Sequence, residues 1–474
     1  MSGSAGSDFG WGSVARLGLV QACLGSIVVL TTSTLNRVMV VELALPALLP
    51  GILVALHYIV QVARPRMGHG SDVGGRRTPW IFGGMCVLAC GGVLATLATV
   101  WMETQRWPGI ALSVLAFVLI GLGVSASGTS LLVLLAKRVP QARRGPAATL
   151  VWVMMIVGFA VTAGTAGKLL DPYTPMRLLA VTSSVCLLAV GLTALALWGV
   201  EGRGRLVQGA QAAAASVSAA GRKPGFREAL SQVWDEPAAR RFTIFVFVSM
   251  LAYSAQDLIL EPFAGSVFGY TPGESTQLSG VQHGGVLLGM LVVAASGLIA
   301  ARWPQVPVLR ALGSLKGWTV GGCIASALAL AALAAAGVAG PEWPLRATVF
   351  ALGAANGAFS IGAIGSMMQL ANEGRESREG VRMGLWGAAQ AVAFGIGGLV
   401  GTAASDLARW WIGRDGAAYS AVFLLEAGLF ALSALLAWHI GRRIELPSAR
   451  APAATPSSDA AAGRASYTPS LEHR

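Results

Sequence analysis

Residues 135–150 read LAKRVPQARRGPAATL, and residues 370–385 read LANEGRESREGVRMGL. The two segments align without a gap at an offset of 235 residues, and five of the sixteen positions are identical. Each segment connects two long apolar runs, the fourth and fifth of its half of the chain. This pattern predicts that one six-helix unit occurs twice, in parallel, about an axis along the membrane normal.

The apolar runs themselves predict the fold class. The 474-residue chain is 54% hydrophobic and 12% charged, about half the charged fraction of an average soluble domain. A membrane-spanning helix needs about 20 apolar residues, and runs of that length are too long for barrel strands. The sequence predicts an all-α polytopic membrane protein with 12 transmembrane helices in two six-helix bundles. The runs lie at 14–36, 43–63, 80–101, 109–135, 147–167, 178–199, 241–263, 277–300, 312–336, 345–370, 383–405 and 417–440.

A single long connection divides the runs six and six. We predict an N-terminal bundle at 1–200 and a C-terminal bundle at 241–441, with a cytoplasmic linker at 201–240 between them. The linker begins rich in Gly, Ala and Ser and ends with a segment that has one apolar helical face, which is typical of a helix on the membrane surface. Residues 442–474 are rich in Ala, Pro and Ser, which predicts a disordered cytoplasmic tail.

The basic residues indicate the orientation. Of 34 Lys and Arg, 27 lie on the side that holds the linker and the two termini, and 7 are assigned to the other side. By the positive-inside rule, both termini are cytoplasmic. The net charge of +12 therefore reflects topology and gives no support for nucleic acid as a partner. The seven basic residues assigned to the side opposite the linker are Arg37, Arg106, Lys168, Arg177, Arg346, Arg409 and Arg414.

The sequence carries no pattern of an enzyme. No Ser/His/Asp constellation, phosphate loop or zinc spacing occurs among its residues. The five cysteines all fall within apolar runs, and an odd number there argues against a disulfide framework. We expect a protein without enzymatic activity, without a tightly bound metal and without a metal ion of its own.

The connection after the second run resembles the loop motif of the major facilitator superfamily. It reads GHGSDVGGRRTP at 68–79, and Gly68, Asp72, Gly75, Arg76 and Arg77 match the motif. In that family the loop latches the two bundles together. Val73 stands where the family usually has a basic residue. The segments quoted first supply a second loop repeat, with Arg143, Gly145, Arg378 and Gly380 in matching positions.

Ionisable residues within the runs are candidates for function, because charge is costly inside a membrane. Asp257, Glu261, Gln282 and His283 lie near the outer ends of the seventh and eighth runs, at an expected depth of about 9–10 Å for Asp257 and His283. We expect Glu261, followed by Pro262, to end its helix. Gly284 and Gly285 would let a flat ligand or a second backbone approach. Two further candidates stand apart, namely His57, with Gln61 one turn later, and Glu426 in the last run.

Three stretches carry a more specific resemblance. TLNRVMVVEL (34–43), TLVWVMMIVGFAVTAG (149–164) and QDLILEPFAGSVFGYTPGESTQLSGVQHGGVLLGM (256–290), together with the 68–77 loop, are similar to the PucC/LhaA family. This is the bacteriochlorophyll-delivery branch of the major facilitator superfamily, and the resemblance covers residues 14 to 441. Only VGG separates Asp72 from the double arginine, where antenna-assembly relatives carry a longer insertion. The short gap points to a sister branch tied to bacteriochlorophyll synthesis.

The resemblance implies a role in assembling light-harvesting complexes in the bacterial inner membrane, cytoplasmic or intracytoplasmic. The implied partners are bacteriochlorophyll or chlorophyllide, antenna polypeptides, membrane lipids and bacteriochlorophyll synthase, with bacteriochlorophyll as a transient ligand. Three hypotheses stay open at this point. The chain could deliver pigment, with His283 as magnesium ligand and Asp257 or Gln282 orienting it. It could transport a small solute through Asp257 and Glu426, or chaperone antenna helices without cavity chemistry. An interhelical lock is the structural alternative for Asp257 and His283.

Overall fold

The computed structural model describes residues 9–61, 76–139, 143–200, 234–373 and 379–444, and the fold in these ranges is helical. Eleven of the described helices are long and apolar enough to cross a membrane. The helices are α1 Trp11–Glu42, α2 Leu48–Val60, α3 Thr78–Trp101, α4 Arg106–Arg138, α5 Arg144–Leu170, α6 Pro175–Leu197, α7 Pro237–Phe268, α8 Pro272–Arg302, the connecting helix Pro307–Leu312, α9 Leu315–Ala339, α10 Leu345–Glu373, α11 Glu379–Ile412 and α12 Asp415–Ile444.

The first two predicted runs differ most from the structure. The helix expected at 14–36 continues to Glu42 as α1, because two π-helical segments, Leu30–Thr34 and Val38–Glu42, extend it. The run expected at 43–63 contains only the thirteen residues of α2, about 20 Å of helix against a hydrocarbon core of about 30 Å. Ala44, with φ 48°, and Pro46 separate the two helices. The residues after α2, 62–75, lie outside the described ranges.

Helix pairing repeats between the halves of the chain. In the first half α1 packs against α5, and α3 packs against α4 and α6. In the second half α7 packs against α11, and α9 packs against α10 and α12. Each half also has a large hydrophobic core drawn mainly from its own helices. The predicted fold of two six-helix bundles is confirmed. Most of the predicted linker and nearly all of the tail lie outside the described residues, and α7 already begins at Pro237.

The two halves meet along the pairs α2–α11 and α5–α8, where glycines bring backbones close together. A Cβ atom on Gly273 of α8 would lie 2.4 Å from the carbonyl oxygen of Gly167 in α5. On the other side, a Cβ on Gly51 of α2 would lie 2.1 Å from the Thr402 hydroxyl oxygen of α11. Both contacts lie toward the helix ends away from the basic loops. We call these the opposite ends, and the others the basic ends.

Polar contacts from the π-helical part of α1 join the halves further. Thr34 and Thr276 share a hydrogen bond of 3.0 Å between their hydroxyls, and the Asn36 amide donates to the Leu258 carbonyl at 2.5 Å. Arg37, only 2% exposed, pairs with Glu42 and donates to the Tyr270 carbonyl. The assignment of Arg37 to an outer loop is therefore wrong. The arginine is buried because α1 is longer than the sequence predicts.

Helix α7 does not end at Pro262. The proline lies inside the helix, which continues to Phe268. Gly269 follows with a φ of +69°, the left-handed conformation that commonly terminates a helix. The expectation that Glu261 and Pro262 end this helix is therefore wrong. Glu261 is buried within the helix, where it contacts α8.

Adjacent glycines on α8 give a matched test of helix packing. A Cβ on Gly285 would lie 2.3 Å from the Phe350 carbonyl oxygen of α10, whereas a Cβ on Gly284 would meet nothing within 4 Å. We expect Gly285→Ala to destabilise the fold by about 1–3 kcal/mol through overpacking, and Gly284→Ala to leave stability unchanged or slightly raised. Thermal unfolding of both variants in one detergent measures this. Equal midpoints for the two variants would contradict the close α8–α10 contact.

Candidate functional site

Helices α7 and α8 place the candidate polar residues at one depth. Asp257 lies eleven residues before the end of α7, and His283 lies eleven residues after the start of α8. Both are therefore about 16 Å from the opposite ends of their helices. The sequence predicts correctly that the two residues are equally far from the helix ends, but that distance is longer than expected, because α7 extends five residues beyond the predicted run. The cluster lies about one third of the way along α7 and α8 from their opposite ends.

Two side-chain hydrogen bonds join α7 to α8. The Gln282 amide donates to Asp257 Oδ1 at 3.3 Å, and the Ser279 hydroxyl donates to Glu261 Oε1. Glu261, Ser279 and Gln282 are buried, whereas Asp257 stays partly exposed. Each bond satisfies one oxygen of a carboxyl group that would otherwise be costly in the bilayer, and Oε2 of Glu261 has no hydrogen-bond partner among the described residues. The two carboxyl groups therefore join α7 to α8 through Gln282 and Ser279, which is a different set of contacts from the Asp257–His283 lock considered from the sequence.

His283 lies beside these contacts but is not bonded to Asp257 in the described structure. Its Nδ1 atom is 2.8 Å from the carbonyl oxygen of Ser279, one turn earlier in α8. A carbonyl oxygen can only accept, so Nδ1 carries the proton of this bond. In the neutral ring Nε2 then holds the free lone pair. Nε2 makes no hydrogen bond among the described residues, and the side chain is partly exposed.

An aromatic side chain from the other half of the protein faces His283. The Phe159 ring of α5 meets the imidazole edge-on, with ring centroids 4.9 Å apart. One turn from Asp257 toward the basic end of α7, the Tyr253 ring lies 5.9 Å from the Phe394 ring of α11, measured between centroids. The Phe394 ring in turn lies 5.6 Å from the Tyr58 ring of α2. All of these rings are partly exposed. Apolar and aromatic surfaces with one free imidazole nitrogen thus meet at the junction of the two halves.

His57 differs from His283 in which ring nitrogen forms a hydrogen bond. Its Nε2 atom is 2.9 Å from the Gln61 amide nitrogen, which is the neighbour that the sequence predicts on the same helical face. Because an amide nitrogen only donates, the Nε2 lone pair of His57 is already occupied. His57 is also buried, with 2% of its surface exposed. Of the two intramembrane histidines, His283 is the one with a lone pair available to a ligand.

Glu426 is not joined to the cluster by any hydrogen bond of the described residues. It lies eleven residues into α12, at about the same depth as Asp257, and is 2% exposed. Neither carboxyl oxygen has a hydrogen-bond partner in the part of the chain that the structure describes. An unpaired carboxyl group within a membrane-spanning helix is costly, so Glu426 is a candidate for function apart from the α7–α8 cluster.

The loop motifs are described only in part. Gly68, Asp72 and Gly75 of the predicted bundle latch, and Arg378 of the second repeat, lie outside the described residues. Arg77 is buried where α3 begins, and Arg76 directly before it is exposed. In the second repeat, Arg143 is exposed at the start of α5, Gly145 lies within α5, and Gly380 lies at the start of α11. The latch itself stays a prediction.

Several residues that complete the site were not singled out from the sequence. Ser279 contacts both Glu261 and His283, and Phe159 contacts His283 from the other half. Gln256, next to Asp257, is fully buried with neither amide atom hydrogen-bonded in the described structure. Ser279 lies four residues before His283, and this helical spacing could have identified it. The position of Phe159 follows only from the packing of the two halves.

Solved transporter structures have the same fold. A D-xylose-proton symporter superposes with a TM-score of 0.65 at 13% identity, covering 91% of this chain and 97% of that one. A bacterial homolog of the human lysosomal transporter Spinster, in an inward-facing and unoccupied conformation, gives a TM-score of 0.63 at 15% identity, covering 92% and 98%. At these identities the likeness establishes the major facilitator fold and nothing about substrate.

Curated relatives are much more similar in sequence. The chain is 53% identical to the "Bacteriochlorophyll synthase 44.5 kDa chain" of Rhodobacter capsulatus, over 90% of this chain and 95% of that protein. It is 29% identical to "Protein PucC" of Cereibacter sphaeroides, over 89% and 90% of the two chains. The family described as "PUCC protein" matches residues 34–444. The chain therefore belongs to the PUCC protein family and is a multi-pass membrane protein of the major facilitator fold.

Proposed function

We propose that this chain handles bacteriochlorophyll during the assembly of light-harvesting complexes, with His283 as a transient axial ligand to the pigment's magnesium. The observation that carries the proposal is the Nδ1–H bond from His283 to the Ser279 carbonyl. This is the arrangement by which proteins fix a histidine tautomer and leave Nε2 to a metal. The orienting group is thus a backbone carbonyl rather than Asp257 or Gln282.

The surroundings of His283 suit a flat, apolar ligand. Phe159, Tyr253, Tyr58 and Phe394 present partly exposed rings between the halves, and aromatic faces pack well against a macrocycle. The backbone at Gly284 has open space around it, whereas Gly285 packs against α10. Of these two glycines, only Gly284 therefore leaves room for a ligand.

The relatives support a place beside pigment synthesis. The name of the 53% identical protein from Rhodobacter capsulatus refers to bacteriochlorophyll synthase, and other relatives are PucC proteins. We propose that this chain receives pigment from a bacteriochlorophyll synthase and passes it to antenna polypeptides, without itself catalysing a reaction. In this proposal the magnesium arrives with the pigment.

The same proposal includes the orientation in the membrane. The excess of Lys and Arg at the basic ends supports a cytoplasmic location of those ends and of both termini. The membrane is then the bacterial inner membrane or its photosynthetic invaginations. In this orientation the contacts of Thr34 with Thr276 and of Arg37 with the Tyr270 carbonyl lie toward the periplasmic ends of the helices.

Replacement of His283 tests the pigment site. In protein purified from a phototrophic host, we expect a near-infrared bacteriochlorophyll band whose occupancy falls about tenfold or more in His283→Gly, because a metal ligand is lost. Added imidazole should restore part of the band by filling the space. His57→Gln is the matched control and should keep the band, because the lone pair of His57 already serves Gln61.

Three results would contradict the pigment proposal. One is wild-type protein that is colourless and takes up no pigment on titration. Another is equal pigment occupancy in His283→Gly and wild type at equal yield. The third is a loss of folding in His283→Gly that imidazole does not correct, which would assign His283 to the interhelical lock.

Solute transport remains the second candidate. The buried carboxyl group of Glu426, which has no hydrogen-bond partner among the described residues, favours it. Under this hypothesis, Glu426→Gln should abolish proton-coupled uptake into liposomes while leaving thermal stability unchanged. Under the pigment proposal, the same variant should keep its pigment and support antenna assembly in the host. Measurement of assembly and proton uptake on one variant therefore separates the two functions.

A cross-link between the halves tests whether they must separate. Thr34 and Thr276 lie close enough for paired cysteines, which can be introduced after the five native cysteines are replaced. If function requires opening at the opposite ends, oxidation of Thr34→Cys/Thr276→Cys should abolish it, and reduction should restore it. The single variants are the controls. We expect the cross-linked protein to retain antenna assembly, and loss of assembly would favour alternating access.

A further inference from the structure

A second, separate site is formed by α8, α9 and α10 on the outer surface of the C-terminal half. Helices α8 and α9 both pack against α10 and leave a groove of about 740 Å³ between them. Its rim includes Leu288, Val292, Val308 and Leu312, which are 42–69% exposed. A cavity of this volume is in the usual range for a small-molecule site. The groove therefore has space for a ligand without movement of the helices.

The groove is distinct from the His283 site. Leu288 and Val292 lie five and nine residues after His283 on α8, at helical angles of about 140° and 180° from it. His283 faces α5 through Phe159, whereas the groove residues of α8 face α9 and α10. The body of α8 separates the two sites, so a pigment bound at His283 would not extend into the groove by a direct path.

The inner surface of the groove is apolar and lined by small residues. Gly289 and Gly322 allow α8 and α9 to approach the backbone of α10 closely, with Cβ positions 2.0 Å from Ala354 O and 2.6 Å from Phe359 N. Gly321, in contrast, has nothing within 4 Å of its Cβ position and opens onto the groove. Alanines of α10 form the floor. Such a surface offers dispersion contacts to a hydrocarbon chain and no hydrogen bond to a polar ligand.

The groove has the height of one membrane leaflet. Along α9 its wall runs from Gly317 to Ala325, about 12 Å, against roughly 15 Å for half of the hydrocarbon core. The connecting helix Pro307–Leu312 contributes Val308, Ala311 and Leu312 and closes the groove at the basic end. Trp318 is fixed there, because its Nε1–H lies 2.8 Å from Ser296 Oγ and 2.6 Å from Leu312 O. The connecting helix and Trp318 thus form a cap on the groove. A transmembrane helix crosses both leaflets and would collide with this cap, so the groove does not fit such a helix.

The charge at the cap identifies the kind of headgroup. Between residues 275 and 341 the chain has three basic residues and no acidic one. Arg302 ends α8 beside the cap and is exposed, and Lys316 opens α9 at the same level, over the Trp438 ring. Basic residues at the mouth of an interhelical groove attract anionic lipid headgroups. A neutral hydrocarbon tail without a charged headgroup would make no ionic contact with Arg302 or Lys316.

We propose that this groove is a binding site for an anionic phospholipid of the leaflet at the basic ends. One acyl chain fills the space between α8 and α9, and the phosphate lies near Arg302. The site holds α9 in place against α8 and α10, where protein contacts alone leave a gap. The proposal does not depend on the function proposed above, because it uses neither His283 nor the junction of the halves.

The test compares lipid retention in glycine variants of equal depth. Full-length protein is purified in mild detergent with phosphatidylglycerol or with phosphatidylcholine of the same acyl chains, and bound lipid is counted by native mass spectrometry. We expect Gly321→Leu to fill the groove and lower retained phosphatidylglycerol at least about fivefold. Gly191→Leu on α6 is the control, because Gly191 also has open space and lies six residues from the basic end of its helix.

A charge variant separates the headgroup from the chain. Arg302→Gln should remove most of the preference for phosphatidylglycerol over phosphatidylcholine while retaining lipid in the groove. Ala325→Leu is a second groove-filling variant for the case that Gly321→Leu does not fold. The proposal is overturned if a folded groove-filling variant retains as much phosphatidylglycerol as wild type, or if wild type retains both lipids equally. Retention of pigment or an antenna polypeptide in the groove instead of lipid would overturn it as well.

Discussion

A polar side chain inside the bilayer has no water to bond with, and this constraint explains the arrangement around α7 and α8. Asp257 and Glu261 are tolerated there because Gln282 and Ser279 supply donors from the next helix. Those two bonds fix the register of the helix pair. The register in turn sets where His283 lies and directs its ring toward α5. Contacts that hold the two helices together and a free ligand position can therefore occur in one cluster. The carboxyl groups of Asp257 and Glu261 join the helices, and the imidazole of His283 takes no part in those bonds.

The same constraint accounts for the junction between the halves. Backbones approach at Gly167 and Gly273, and the backbone at Gly51 lies against the Thr402 side chain. Polar residues of α1 bond to backbone carbonyls of α7 and of the turn after it. Small residues and backbone acceptors are the usual means of helix association where no hydrophobic driving force exists. A buried arginine at this position is stable because Glu42 and the Tyr270 carbonyl surround it.

The sequence predicts the helices, their repeat and the family, because runs of apolar residues and short motifs are local features. It fails where a distant contact decides the result. Arg37 reads as a loop residue because nothing nearby indicates that α1 continues, through a π-helical segment, six residues beyond the predicted end at 36. Pro262 reads as a helix end, yet α7 continues because packing against α12 through Phe263 outweighs one lost backbone bond. At the site, Asp257, Gln282 and His283 follow from spacing, whereas Phe159 and the Ser279 carbonyl require the packed structure.

The edge-on contact between Phe159 and His283 has a kinetic consequence. Helix α8 is held by close glycine contacts to α10 on one face and to α5 on another, at Gly285 and Gly280, so α8 cannot shift alone to uncover the imidazole. A ligand as large as a macrocycle would need more room beside the Phe159 ring, which either rotation of that side chain or separation of the two halves would provide. Side-chain rotation takes picoseconds to nanoseconds when unhindered, and domain separation takes microseconds to milliseconds. The exchange rate of a bound molecule would thus distinguish a side-chain gate from a moving bundle.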